Sequence, residues 1–134
     1  MERGHLSEED IFCPEVFRAQ IGGFPGPFYE VSWDEALLKW TDFEKLETIR
    51  PEAIDWQRFW SELDKIKIWE WEQRYDNPHV LDGTSWSVHI EYQGKSLKSS
   101  GSNAYPDSKG AAPGKVFKKF CRAVSNLVDG KDFY

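Results

Sequence analysis

Between Arg50 and Asp64 the chain reads RPEAIDWQRFWSELD, and the spacing of Trp56, Phe59, Trp60 and Leu63 constrains the fold more than any other feature. Positions i, i+3, i+4 and i+7 share one side of an α-helix, so the pattern predicts a helix over 52–64 with an almost wholly aromatic face. Pro51 suits the first helical position, where its missing N–H costs nothing. Glu52 and Asp55 suit the positive end of the helix dipole. Each aromatic side chain brings about 150–250 Å² to be covered. A helix with such a face is stable only against a broad apolar layer.

That layer is legible further along. In TSWSVHIEYQGKSLKSS, from Thr84 to Ser100, Trp86, Val88, Ile90 and Tyr92 alternate with Ser85, Ser87, His89 and Glu91. A period of two is that of a strand with one buried and one wet face. Gln93-Gly94 supplies a two-residue turn, with glycine where a positive φ is needed. The resulting register sets Ile90 opposite Leu97 on the inner face, and His89 opposite Lys98 and Glu91 opposite Ser96 on the outer. Phe28–Trp33 predicts a strand, Asp34-Glu35 a tight connection and Ala36–Phe43 a second strand. A helix there would have to stop without Gly or Pro before Pro51. Leu46–Ile49 predicts a third strand, ended by Arg50-Pro51.

Lys65–Tyr75 reads as a strand with Lys67, Trp69, Trp71, Gln73 and Tyr75 on one side and Glu70, Glu72 and Arg74 on the other. Val116, Phe117, Phe120, Cys121, Val124, Leu127 and Val128 mark a closing amphipathic helix, with Gly130 just past its end. Residues 1–27 read as an N-terminal arm. A helix start at Ser7 precedes a short apolar stripe (Ile11, Phe12, Val16, Phe17, Ile21), which Pro14 interrupts and Gly22–Pro27 ends. The expectation is a single domain over 1–134, with a core from residue 28. Its class is α+β: one antiparallel sheet of about five to six strands, with two helices packed on one face. At 134 residues such a domain can bury a core without metals or disulfides.

The net charge of −6 is uneven: residues 1–60 carry 13 acids against 6 bases, and residues 101–134 carry 3 against 6. An acidic body argues against nucleic acid as the ligand, since phosphate binding depends on many Lys and Arg contacts. Cys13 and Cys121 stand far apart, in no metal-ligand or disulfide-scaffold spacing. No apolar run suits a signal peptide or a membrane span. The expectation is a cytoplasmic protein with no cofactor, metal, nucleic-acid or membrane partner.

Two places in the sequence could carry chemistry. His89 is the best-placed base, on a wet strand face near Ser87, Glu91 and Lys98. Glu70 and Glu72 would lie about 7 Å apart on one strand face, a spacing usable for glycoside chemistry or a divalent ion. An exposed histidine and acids alternating along a wet strand are more simply solvated surface. His5 and His79 belong to a tail and a loop. Binding is the reading that remains, with Glu70, Glu72, Arg74, Ser87, His89, Glu91 and Lys98 as the candidate partner-binding face. An acidic face suits a basic protein partner, because charge complementarity speeds encounter.

Four motifs recur in order over residues 50–106: P-x(4)-W-x(2)-F-W, a W-x-W strand, D-G-x-x-W, and S-x-G-x-N-x-Y-P. In this order they resemble a small uncharacterised bacterial protein family. The resemblance implies the order of elements and a bacterial cytosolic origin; it carries no activity, hence no catalytic residue. Small acidic bacterial domains without an active site are, by analogy, often immunity proteins that neutralise a cognate toxin. The expected function is such non-enzymatic binding. A small-ligand or protein-binding module is the alternative, and a small enzyme using His89 or Glu70 and Glu72 a more distant one.

Overall fold

The computed structural model describes residues 10–23, 26–77, 83–108 and 112–134. Seven strands form one sheet: β1 (Val16–Gly23), β2 (Phe28–Asp34), β3 (Leu37–Thr41), β4 (Leu46–Ile49), β5 (Arg74–Asp76), β6 (Thr84–Tyr92) and β7 (Lys95–Ser102). Their spatial order is β4-β3-β2-β1-β6-β7-β5. All neighbours run antiparallel except β5 and β7, which are parallel. The sheet is therefore mixed and larger than the five to six antiparallel strands expected.

Helices α1 (Ala53–Lys65) and α2 (Lys115–Leu127) lie together on one side of the sheet. The aromatic face of α1 lands where its spacing requires. Phe17 of β1 meets Trp56 and Phe59 edge-on, Trp33 of β2 meets Trp56, and Trp60 stacks on Tyr92 of β6 with ring centroids 3.9 Å apart. From α2, Phe117 packs on Trp86. Three tryptophan indoles are tied to backbone: Trp60 Nε1 donates to the Phe12 carbonyl at 2.7 Å, Trp86 Nε1 to Ala104 at 2.8 Å and Trp40 Nε1 to Asp132 at 2.8 Å. The first and last of these tie Phe12 and Asp132, near the two ends of the described residues, to the core. Phe133 is buried there as well.

The hairpin matches its sequence register residue for residue, including Ile90 opposite Leu97 and His89 opposite Lys98. Gln93 and Gly94 both have positive φ, as a two-residue turn with the twist of its strands requires. β2, β3 and β4 also stand where expected, and α2 ends with Gly130 at φ 81° donating to the Ser125 carbonyl. Helix α1 begins at Ala53, one residue later than the expected 52–64 span, and Pro51 precedes the N-cap instead of filling the first helical position. Glu52 is the N-cap, and its N–H donates to the Asp55 carboxylate at 2.9 Å.

Two expectations fail. Residues 16–23 are no arm: β1 is the middle strand, paired with β2 on one side and β6 on the other. Pro14 prevents a helix, and from Phe17 onward burial alternates, with Phe17, Ala19 and Ile21 inward and Arg18 and Gln20 outward. Residues 1–9, which include the expected helix start at Ser7, fall outside the described residues. The second failure is the strand over 65–75. Ile66 and Ile68 are of one parity and Trp69 and Trp71 largely of the other, so an extended chain cannot bury both sets. The chain resolves the conflict by turning. Lys67 adopts the left-handed conformation (φ 55°), a 3-10 turn follows over Ile68–Glu70, and only Arg74–Asp76 remain as strand. Ile68 is thereby fully buried, while Trp69 and Trp71 are partly buried against the core, Trp69 stacked on Trp60 and Trp71 on Phe117.

Candidate functional site

Two helices cover one face of the sheet, and neither covers the other. Strand register shows which side chains this helix-free face carries. One row crosses the sheet through Thr48, Lys39, Ser32, Arg18, His89 and Lys98. The next passes Leu46, Thr41, Glu30, Gln20, Ser87, Ser100 and Arg74, and a third runs Phe28, Gly22, Ser85, Ser102 and Asp76. Small hydroxyl side chains fill the centre, and aromatic rings close one end.

Five of the seven residues expected at a partner-binding face lie on it: Arg74, Ser87, His89, Glu91 and Lys98. Glu70 and Glu72 do not. Glu70 ends the 3-10 turn and Glu72 sits in the link before β5, so neither is on a strand and their expected spacing on a strand face is absent. Glu72 is tied through its backbone instead. Its carbonyl accepts from Ser99 Oγ at 2.6 Å, and its N–H donates to Tyr75 Oη at 2.8 Å. With both gone, the face is no longer acidic. Its four strand cations (Arg18, Lys39, Arg74, Lys98) equal in number its four carboxylates (Glu30, Asp34, Asp76, Glu91), and the acidic surface that suited a basic partner is lost.

Most of these charges pair locally. Arg18 Nε meets Glu30 at 2.7 Å, Lys39 meets Asp34 at 2.9 Å, Arg74 meets Asp76 at 3.5 Å, and His89 Nε2 meets Glu91 at 3.1 Å. Lys98 has no ion pair among the described residues. His89 bonds to Glu91 and not to Ser87, so the geometry of a base activating a serine is not formed. Among the described residues, no cluster of three or more His, Cys, Asp or Glu side chains is placed to hold a metal ion. None of the described helices is long and apolar enough to cross a membrane. His5 and His79 fall outside the described residues.

The face is not flat. A hollow of about 260 Å³ is lined by Arg18, His89, Lys98, Ser87, Ser100 and Gln73, among others. A second, of about 320 Å³, adjoins it through Ser87 and Ser100 and is walled by Phe28, Phe43, Gln20 and Arg74. Together they make a trough that is polar and cationic at one end and aromatic at the other.

The aromatic end was missed by sequence reasoning, which assigns a Phe or Leu to the core by default. Phe28, Phe43 and Leu46 are 45%, 66% and 65% exposed, and the rings of Phe28 and Phe43 meet edge-on. Phe28 lies over the sheet because Gly22 faces it across the strand pair; a Cβ there would collide with the ring. Phe43 is held by the turn between β3 and β4. Its N–H donates to Thr41 Oγ1 at 2.8 Å, and Asp42 Oδ1 accepts from the next two backbone N–H groups at 2.9 and 2.8 Å. Those backbone bonds pull the Asp42 carboxyl below its ordinary value. The turn forces Phe43 to φ 70°, a left-handed conformation that bulky residues rarely adopt. Strained backbone clusters at active sites, ligand clamps and switch regions.

No family model matches the chain, and no curated protein or solved structure matches it significantly.

Proposed function

We propose that this chain is a non-enzymatic binding protein that docks a protein partner on the helix-free face of its sheet. The observation that carries this is the exposed Phe28–Phe43 pair at the end of the trough, with Phe43 kept in a costly backbone conformation by its own turn. Binding energy at protein interfaces concentrates in a few aromatic anchors ringed by polar contacts. Here Ser85, Ser87 and Ser100 supply the polar surround and Arg74 and Lys98 its charged rim. A toxin-neutralising immunity protein is the class we favour, by analogy with small bacterial binding domains. Recognition then rests on aromatic and hydrogen-bonding complementarity, not on attraction between an acidic face and a basic partner.

The test is coexpression with the product of the adjacent gene. If that product arrests growth, this chain should rescue it, and Ser87→Arg or Phe43→Asp should abolish rescue while Lys119→Glu, on the outer side of α2, should not. Rescue untouched by both face substitutions would refute docking at this surface. A small-ligand reading is favoured by one observation, the two joined hollows; it predicts that the trough binds a ligand with no protein partner present.

A further inference from the structure

The row across the centre of the helix-free face places three basic side chains side by side. Arg18 on β1 is directly opposite His89 on β6, and His89 is directly opposite Lys98 on β7. Neighbouring strands lie about 4.8 Å apart, so three basic side chains stand within about 10 Å. Arg18 and Lys98 thus carry permanent charge on either side of the His89 imidazole, and two cations so placed repel one another. The flanking carboxylates relieve this only in part. Glu30 meets Arg18 through Nε alone, which leaves the outer edge of the guanidinium unpaired among the described residues. Lys98 has no carboxylate at all among them.

The same three side chains line the hollow of about 260 Å³, together with the hydroxyls of Ser87 and Ser100 and the amide of Gln73. Guanidinium, ammonium and hydroxyl groups are donors, and this set converges on a concave spot where no carboxylate is among the lining residues. Such a set recognises an oxyanion through charge-assisted hydrogen bonds, with the planar guanidinium suited to two oxygens at once.

We propose that the Arg18–His89–Lys98 hollow is an oxyanion-binding site, taking the phosphate or carboxylate group of a ligand that lies along the trough. The inference rests on the preceding reading only in using the same face. It is tested without any partner, so the two can fail separately. A free ion should bind weakly, because the hollow is shallow and wet; a ligand reaching the aromatic end gains further contacts.

The experiment is an NMR titration of the full chain with inorganic phosphate and, separately, acetate, each against sodium chloride at the same ionic strength. Saturable shifts are expected at residues 18, 87, 89, 98 and 100. Arg18→Ala and Lys98→Ala should each weaken binding about tenfold or more, as loss of one charge-assisted contact implies. Lys119→Ala on α2 should leave it unchanged. A stronger response to phosphate would mark a phosphorylated ligand, and a stronger response to acetate a carboxylate. Shifts no larger than those with chloride, or shifts that persist equally in both variants, would overturn the site. Lys98 is exposed and makes no ion pair among the described residues, so that variant should remain folded.

Discussion

Replacing Phe43 with glycine separates an anchor from a core residue. Holding an L-residue in the left-handed region costs about 1–2 kcal/mol, which glycine escapes. Against this, glycine adds about 0.4–1 kcal/mol of unfolded-state entropy. Losing the edge-on contact with Phe28 removes about 0.5–1.5 kcal/mol. Because 66% of Phe43 is already in water, little else is lost. These terms nearly cancel, so Phe43→Gly should stay within about 1 kcal/mol of the parent. Phe59→Ala, at a residue only 2% exposed, should cost about 3–5 kcal/mol. Urea denaturation followed by tryptophan fluorescence reads both, as a shifted midpoint at constant slope. A loss of 3 kcal/mol or more on Phe43→Gly, as large as that expected for a core truncation, would show that the ring supports the fold and was never free for a partner.

Further outcomes follow from the core. Trp60→Ala should cost about 3–5 kcal/mol, whereas Trp60→Phe keeps the stack on Tyr92 and forfeits mainly the bond to the Phe12 carbonyl, about 1–3 kcal/mol. Equal losses by urea midpoint would contradict that division. Gly101→Ala would place a Cβ against the Trp86 indole and the Ala104 carbonyl, prising apart their hydrogen bond; it should cost several times more than Gly94→Ala, whose Cβ meets open space and whose penalty is only a φ of 80°. Burial pushes the Tyr105 phenol up from 10.0 to about 12, with nearby Tyr134 adding to the shift, and pushes the Cys121 thiol up from 9.0 to about 12. Both folded-state values are raised, so the folded chain holds these protons longer than the unfolded one. Their stabilisation is complete below pH 9.0 and is lost as pH climbs toward about 12. The urea midpoint should fall across that window, and Cys121→Ala and Tyr105→Phe should each flatten part of the fall. A level midpoint throughout would contradict the burial.

Sequence periodicity resolved the elements that present one consistent apolar set. The two helices and the hairpin with its register each have a single parity or a single helical stripe to bury, and the β2–β4 meander is marked off by its turns and by Arg50-Pro51. Residues 65–71 offer two competing sets, and only tertiary packing decides between Ile66 with Ile68 and Trp69 with Trp71. β1 was hidden for another reason. Its alternation spans Phe17 to Ile21 only, framed by Pro14 and Gly22-Gly23, which read as punctuation around an arm. The parallel β5 has three residues and no pattern to display. The same causes shaped the view of the site. Ser87, His89, Glu91 and Lys98 followed from the hairpin register, and Arg74 survived at the end of a mostly misplaced strand. Arg18 was lost with β1, and Glu70 and Glu72 were included because of the false strand. Phe43 gives no sequence signal of exposure, since only the turn geometry at Asp42 turns its ring outward; Phe28 shares the outward parity of Glu30 and Ser32 in β2.

The account depends on the sheet having one sealed and one open face, and alternate labelling along two central strands tests that most directly. Single cysteines would be placed at Arg18, Ala19, Ser87 and Val88 in a chain with Cys13 and Cys121 replaced by alanine. Residues 18 and 87 should react with a thiol reagent nearly as fast as in the unfolded chain, and 19 and 88 only at the rate of global unfolding. Protection at 18 and 87, or rapid reaction at 19 and 88, would contradict the account.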